Sequence, residues 1–256
     1  MKKNPVNLNG KTAFISGGSR GIGYGIAEIL AFNGANIIIG SIHGEGAEKA
    51  ADKLSRETGA FCFGLELDVC LASSVSSAFE SIKEKTNSLD IAVNNAGVAN
   101  SIDFLDTDEA AWDHVLDTNL KGVYQCCRAE IPLMLENGGK IVNIASISGS
   151  MVNVPQYQAN YNTSKAGVIM LTKSLAVEYA KRGIRINSLS PGYTLTEMNK
   201  RPEVKDLLKI WADRTPMGRH AEVDEIASAA LFLVSDMSGF ITGHDLVVDG
   251  GSTIVC

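Results

Sequence analysis

Hydrophobic positions along this chain keep two rhythms. Short, nearly unbroken apolar runs rich in β-branched residues alternate with longer stretches in which apolar residues return every three or four positions. These are the patterns of buried strands and of amphipathic helices. Thr12 to Ser16 is the first run; a glycine-rich turn follows, then a helical pattern from about Ile22 to Asn33. Asn36 to Ile39 carries Ile37-Ile38-Ile39, Glu45 to Thr58 is helical in composition, and Phe61 to Leu67 alternates like a strand. Ser73 to Thr86 is helical, Leu89 to Val93 is a strand, Asp108 to Glu136 has the length of one long helix, and Lys140 to Ala145 is a strand. Tyr161 to Lys181 is a helix closed by Gly183. Ile184 to Leu189 is a strand ending at Pro191-Gly192, Val223 to Leu233 is a helix, and Leu246 to Val248 is a short last strand.

Strands and helices in strict alternation predict an α/β protein, a doubly wound parallel sheet with helices on both faces. The sequence shows no linker, repeat or low-complexity stretch, so one domain is expected over residues 1–256. Ligands of such sheets bind beyond the carboxyl ends of the strands, where the strand order reverses. The residues that follow Ile15, Ile39, Leu67, Val93, Ile144 and Leu189 are therefore the ones to search.

Composition narrows the class. Hydrophobic residues make up 45% and charged residues 20%, which excludes a disordered or fibrous chain. A net charge of −6 gives no basic field to hold nucleic acid. No apolar run reaches the roughly 18 residues needed to span a bilayer. Met1 to Gly10 is polar and lacks the apolar core of a signal peptide, so a soluble cytoplasmic protein is expected, with no membrane or nucleic-acid partner. The five cysteines form no C-x-x-C and the four histidines are scattered, so neither a disulfide framework nor a metal site is expected.

After the first strand comes Ser16-Gly17-Gly18-Ser19-Arg20-Gly21-Ile22-Gly23, then a helix. Glycines let the backbone turn tightly and approach a pyrophosphate, and the helix start offers free N–H groups and a positive dipole end. The spacing Gly17-x-x-x-Gly21-x-Gly23 differs from the G-x-G-x-x-G fingerprint, but the strand before and helix after point to a dinucleotide. Dinucleotide folds that take NAD place an acid at the end of the second strand, on the ribose 2′-OH. Here that end reads Gly40-Ser41-Ile42-His43, with Ser41 where the acid would stand. A small hydroxyl leaves room for a 2′-phosphate, and the guanidinium of Arg20 can pair with one, so NADP(H) is favoured over NAD(H).

The fifth strand ends in Ser146, and Tyr161 and Lys165 follow near the start of the next helix. An i, i+4 pair shares one helical face, so phenol and ammonium can share one pocket. Free tyrosine, with a pKa of about 10, is a poor base at neutral pH. A nearby cation stabilises phenolate and lowers that value, which lets the phenol give or take a proton while a hydride moves. Ser146 is placed to hold the substrate oxygen. Ser148 is a second candidate, less favoured because Ser146 directly follows the strand. Tyr157 stands four residues before a tyrosine rather than a lysine and reads as a wall or surface aromatic.

Together these motifs resemble the short-chain dehydrogenase/reductase superfamily over essentially the whole chain. The matching segments are Ser16 to Gly23, Asp68-Val69, Asn94-Asn95-Ala96-Gly97, Asn119, Ser146, Tyr161-Asn162-Thr163-Ser164-Lys165 and Pro191-Gly192. The resemblance implies a Rossmann fold and further roles. Asp68 and Val69 would contact the adenine. Asn94, Asn95, Ala96 and Gly97 would steady the sheet and line the cofactor site. Asn119 would hold a water linking Lys165 to solvent, and Lys165 would also bind the nicotinamide ribose. Pro191, Gly192, Thr194 and Thr196 would cover the nicotinamide. Ser16 stands where the family often has threonine, and Thr194 where it often has isoleucine. Asn119 inside a helix is unfavourable by propensity, as a residue at a functional kink would be. The resemblance also implies a homotetramer, with the helices at Asp108–Glu136 and Tyr161–Lys181 on one interface and the last strand on another. Leu133, Met134, Met170 and Leu171 fit either interface or core.

The expected reaction is hydride transfer between nicotinamide and a carbonyl or secondary alcohol of a small molecule. The variable walls are the segment after Gly97, the stretch Gly149 to Asn160, and a loop from Thr194 to Thr215 carrying Glu197, Asn199, Arg201 and Trp211. The ending Asp245-Leu246-Val247-Val248-Asp249-Gly250-Gly251 is similar to that of members acting on sugars and sugar alcohols, and to that of 3-oxoacyl-[acyl-carrier-protein] reductases. A small sugar, ketose or polyol is the favoured substrate. Steroid or bile-acid reduction and 3-oxoacyl thioester reduction are the alternatives, and a non-catalytic NADP(H)-binding sensor is the reading from a different class.

Overall fold

The computed structural model describes residues 6–86, 88–196 and 205–255. Seven strands form one parallel sheet in the order β3-β2-β1-β4-β5-β6-β7. They are β1 (Thr12–Ser16), β2 (Asn36–Ser41), β3 (Cys62–Glu66), β4 (Ile91–Asn94), β5 (Gly139–Ile144), β6 (Ile184–Pro191) and β7 (Asp245–Val248). The helices are α1 (Gly21–Phe32), α2 (Gly44–Thr58), α3 (Ala72–Lys85), α4 (Glu109–Leu116), α5 (Gly122–Met134), α6 (Ala159–Tyr179), α7 (Lys205–Arg214) and α8 (Val223–Val234). The predicted doubly wound architecture is observed. Among the described residues no helix is long and apolar enough to cross a membrane.

The central strands are apolar on both faces because both faces are covered. One layer packs α1, α2 and α8 onto Ile15, Ile37, Ile39, Val93 and Val142. The other packs α3, α5 and α6 onto Phe14, Ile38, Ala92, Ile141 and Ile186. The strand order reverses between β1 and β4, so the switch point opens between their carboxyl ends.

Three of the differences from the sequence reading bear on the site. The long helix expected over Asp108 to Glu136 is α4 and α5 joined through a π-helical turn, Asp117–Lys121, with Asn119 at its middle. That turn supplies the kink which the poor propensity of Asn119 suggested. β2 runs on to Ser41, which carries that residue to the cleft edge. The stretch expected as a loop before Thr215 contains α7, whose Leu207, Leu208 and Trp211 recur at helical spacing. Glu197, Asn199 and Arg201 lie outside the described residues. Of the four residues expected in interface or core, Met134 is fully buried, Met170 is exposed, and Leu133 and Leu171 are partly buried against the core.

Gly64 is where β3 and α2 come closest. A Cβ there would lie 2.2 Å from the Ala47 carbonyl carbon and from Glu48 N. Replacing glycine in a strand ordinarily gains about 0.5–1 kcal/mol of chain entropy. Overpacking costs about 1–3 kcal/mol, and here the obstacle is backbone, which cannot rotate away. Gly64→Ala is therefore expected to lower the urea midpoint; an unchanged or raised midpoint would show that α2 moves freely off the sheet.

Candidate active site

The turn after β1 is fixed by the residue after β4. Asn95 N and Ala96 N donate to Ser16 Oγ at 3.1 and 3.2 Å, so the hydroxyl accepts two backbone hydrogen bonds. Asn95 Nδ2 donates to Ser16 O at 3.2 Å and to Gly17 O at 3.0 Å. The chain then turns at Gly17 with φ +62°, and a Cβ there would come 2.9 Å from Ala96 Cα. At Gly23 a Cβ would come 2.4 Å from Gly17 O and 2.5 Å from Asn95 Nδ2. Both positions leave space only for hydrogen.

The start of α1 is open. Arg20 occupies its N-cap without a side-chain capping bond, and the first turn carries no acid. Its N–H groups and positive dipole end thus face the cleft uncompensated, which is what a pyrophosphate requires. The half-buried Ile22 anchors the helix start on the core. Thr196 Cγ2 lies 3.8 Å from the position of a Cβ on Gly21, so the segment leaving β6 passes over the cradle. Gly192 N donates to Val248 O at 2.9 Å, and Thr194, bridged to Ala221, accounts for the course of that segment.

The rest of the predicted cofactor side lies along the same edge. Ser19 Oγ donates to Ser41 Oγ at 3.2 Å, which joins the end of β2 to the cradle. Arg20 is exposed and makes no ion pair among the described residues. Beyond β3, Asp68 Oδ1 accepts from Cys70 N at 2.9 Å, and Val69 O accepts from Gln125 Nε2 at 2.7 Å.

Ser146, Tyr161, Lys165 and Asn119 converge on the other side of the switch point. The Ser146 hydroxyl hydrogen-bonds the Tyr161 phenol, and Ser146 Oγ also accepts from Ser148 N at 3.1 Å. The Lys165 ammonium lies 5.8 Å from the Tyr161 ring centre and donates to Ile144 O at 2.8 Å. Asn119 Oδ1 accepts from Val98 N at 2.8 Å, while its Nδ2 donates to Val98 O at 2.9 Å and to Ser164 Oγ at 3.1 Å. A Cβ on Gly97 would stand 3.2 Å from Asn119 Oδ1 and 3.7 Å from Lys165 Nζ, so glycine keeps the gap between them open.

The electrostatics correct one expectation. Burial pushes the Tyr161 phenol up, and only the Ser146 hydrogen bond pulls it down; Lys165 is turned to Ile144 O and does not lower it in the protein alone. Burial draws Lys165 down to about 8. Tyr161 is thus held as a neutral phenol, and Lys165 sits close to its own titration range.

The wall beside Ser146 is built from amides that the sequence reading did not single out. Ser148 Oγ accepts from Asn153 Nδ2 at 2.6 Å and from Gln158 Nε2 at 3.2 Å. Asn153 Oδ1 accepts from Tyr193 Oη at 3.3 Å, Tyr193 stacks on Trp211 at 4.9 Å, and Trp211 Nε1 donates to Gln156 Oε1 at 3.1 Å. Only the density of Asn and Gln between Asn153 and Asn162 signals this in the sequence. Tyr157, expected as wall or surface, is 67% exposed.

A family described as Enoyl-(Acyl carrier protein) reductase matches residues 17–253. The chain is 41% identical over 246 residues to a 3-oxoacyl-[acyl-carrier-protein] reductase of Chlamydia trachomatis, covering 95% of this chain and 98% of that protein. It is 42% identical over 250 residues to a galactitol 2-dehydrogenase (L-tagatose-forming) of Cereibacter sphaeroides, covering 96% of each. A crystal structure of a short-chain type dehydrogenase/reductase from Mycobacterium marinum superposes with a TM-score of 0.95 at 35% identity, over 98% of this chain and 99% of that one. The chain belongs to the short-chain dehydrogenase/reductase superfamily.

In this short-chain dehydrogenase/reductase the cradle depends on Asn95, whose amide serves two carbonyls at once. Buried carbonyls left without a donor cost about 1–3 kcal/mol. Asn95→Ala is expected to lower unfolding free energy by about that amount and to weaken dinucleotide binding. Unchanged stability in a urea titration would show that water replaces the amide at no cost.

Proposed function

We propose that this protein is an NADP(H)-preferring oxidoreductase that interconverts a secondary alcohol and a ketone on a small sugar, ketose or polyol, working as a single domain across residues 1–256. The observation that carries the substrate reading is the amide wall. Asn153 and Gln158 are buried beside Ser146, and Gln158 Oε1 accepts no hydrogen bond among the described residues. An apolar steroid or acyl chain would leave that oxygen without a donor, whereas a hydroxylated carbon chain supplies one. The galactitol 2-dehydrogenase relative agrees with this reading. The 3-oxoacyl-[acyl-carrier-protein] reductase relative supports 3-oxoacyl thioester reduction as the second reading.

The residues fit a dinucleotide. The pyrophosphate would lie on Gly17, Ser19, Gly21, Ile22 and Gly23 at the open start of α1. The adenine would lie by Asp68 and Val69, and the nicotinamide side by Asn95, Ala96, Gly97, Pro191, Gly192, Thr194 and Thr196. When bound, the cofactor contributes the hydride chemistry. The chain's own groups handle the oxygen and its proton. Ser146 orients the oxygen. Tyr161, neutral in the protein alone, gives it a proton in reduction and takes one back in oxidation. Lys165 holds the ribose and favours the phenolate when oxidation requires it. The side chain of Asn119 is consumed by Val98 and Ser164, so the water of the relay is held by the widened backbone of the π turn.

A 2′-phosphate would fall between Ser41 and Arg20. Homotetramer formation is supported by the exposed apolar residues Tyr124, Met170 and Val177 on the outer faces of α5 and α6.

Fluorescence titration with NADPH and NADH tests the cofactor. NADPH is expected to bind more tightly. A charged hydrogen bond contributes about 1.5–3 kcal/mol, so Arg20→Ala should cost about 10–100-fold in NADPH affinity and leave NADH unchanged. Equal loss for both would remove Arg20 from the 2′-phosphate.

Turnover tests the roles. Tyr161→Phe is expected to lower kcat by about 10²–10⁴-fold while cofactor affinity holds. Because oxidation uses the phenolate, which Lys165 favours only while charged, oxidation should lose that support as pH rises through about 8, where Lys165 titrates, while reduction, which uses the protonated phenol, should not. Faster turnover of a 3-oxoacyl thioester than of any ketose or polyol would favour the second reading.

A further inference from the structure

One titratable group has no part in this chemistry and lies at the centre of the molecule. Glu130, in the middle of α5, is 0% exposed. Its Oε2 accepts from Asn94 Nδ2 at 3.1 Å. Among the described residues no lysine, arginine or histidine pairs with it.

The hydrogen-bond directions around it can be followed inward from α6. Thr172 Oγ1 donates to Val168 O at 2.8 Å, so it accepts at its other bond, from Asn143 Nδ2 at 2.9 Å. The Asn143 oxygen therefore faces Asn94 and accepts from Asn94 Nδ2 at 2.9 Å. The two hydrogens of that nitrogen are then committed, one to Asn143 and one to Glu130 Oε2, with Cys127 Sγ a longer neighbour at 3.4 Å. Two acceptors remain without a partner in this buried network, Asn94 Oδ1 and Glu130 Oε1. The one other hydrogen in reach, on Cys127 Sγ, goes to Asn143 Oδ1 at 3.7 Å and to the bonded side of the carboxylate and reaches neither of these atoms, so the arrangement still lacks a single hydrogen. One proton on Glu130 supplies it, and a carboxylic acid facing a primary amide then forms a two-bond pair, each group donating once and accepting once.

We propose that Glu130 is carried as a neutral carboxylic acid whose proton is given to Asn94 Oδ1, and that this acid–amide pair is a positioning device for the site. Asn94 immediately precedes Asn95, which holds the cradle, and Asn143 lies three residues before Ser146. Thr172 lies on the helix that carries Tyr161 and Lys165, and Glu130 itself lies on the helix that follows the Asn119 turn. The pair thus ties together the four elements that bring cofactor side and proton side to one edge.

The surroundings agree. The titratable groups facing Glu130 are the thiols of Cys126 and Cys127 on its own helix, which burial keeps neutral. β4 and β5 meet it with Asn94 and Asn143. α3 turns Val75, Ala78, Phe79 and Ile82 inward and leaves Glu80, Lys83, Glu84 and Lys85 exposed. Lys165 of α6 is engaged with Ile144 O. Burial with no cation in reach holds the Glu130 carboxyl up at about 8, above the pull of the Asn94 and Cys127 hydrogen bonds.

The folded chain therefore keeps a proton that the unfolded chain releases at about 4.3. Stability from this group is complete below that value and is lost as pH rises toward about 8, beyond which the loss is flat. Glu130→Gln reproduces the acid, with a carbonyl to accept and an N–H to donate, and cannot ionise. Denaturant titrations of the two proteins should diverge. Relative to E130Q, the folding equilibrium constant of the wild type should fall by up to about tenfold per pH unit across that window. Cofactor affinity and kcat of E130Q should stay within about twofold of wild type near neutral pH, while Glu130→Leu, which leaves the Asn94 amide unpaired, should lose both. Parallel pH profiles for wild type and E130Q would overturn the proposal. If E130Q does not fold, infrared spectroscopy of the wild type decides instead: a buried carboxylic-acid C=O band at neutral pH supports the proposal, and only carboxylate bands overturn it.

Discussion

The amide of Asn95, bonded to the backbone of Ser16 and Gly17, is the constraint on which the site depends. A parallel sheet brings every strand's carboxyl end to one edge, but it leaves the distances between the loops there unset. At the switch point β1 and β4 are neighbours whose following chains diverge to opposite faces. One side chain bridging both fixes how far the cradle stands from everything built on β4, β5 and α6. The glycines follow from it, since Gly17 and Gly23 are held so close to Asn95 and Ala96 that a methyl group would collide.

Polar groups buried under that edge explain why the reacting side is rigid. Asn119, Asn143, Ser164 and Lys165 are each fully or nearly fully buried, and each bonds a group on a different segment. Their electrostatic effects differ with their neighbours. Tyr161 and Lys165 are pushed toward neutrality by the same burial, from opposite starting charges. A neutral phenol beside a weakly held ammonium is poised for proton exchange, and no surface pair would be. The amides at Asn153 and Gln158 extend that polar cluster through Ser148.

Much of this was legible in the sequence. The strand and helix alternation, the glycine cradle, and the Ser146, Tyr161 and Lys165 set follow from local pattern and spacing, because parallel strands are continuous apolar runs and an i, i+4 pair shares a face. Asn119 came from the family resemblance, with its poor helix propensity beside it, and the π turn is the physical reason it is tolerated. What was hidden depends on partners distant in sequence. Glu130 reads as an ordinary charged position in an amphipathic helix until Asn94 is seen against it. The Tyr193–Trp211 stack needed α7 to fold back over the cleft. In the protein alone Lys165 does not lower the Tyr161 phenol, because spacing gives a shared face and not the direction in which an ammonium donates.

Isotope transfer tests the central claim most directly. The purified protein would be incubated with NADPH deuterated at nicotinamide C4 and with a panel of ketoses, and the product carbinol examined by NMR. Deuterium on the carbinol carbon of a ketose-derived polyol is the expected result. Tight NADPH binding with no deuterium delivered to any ketose or 3-oxoacyl thioester would contradict it and leave a nucleotide-binding module without turnover.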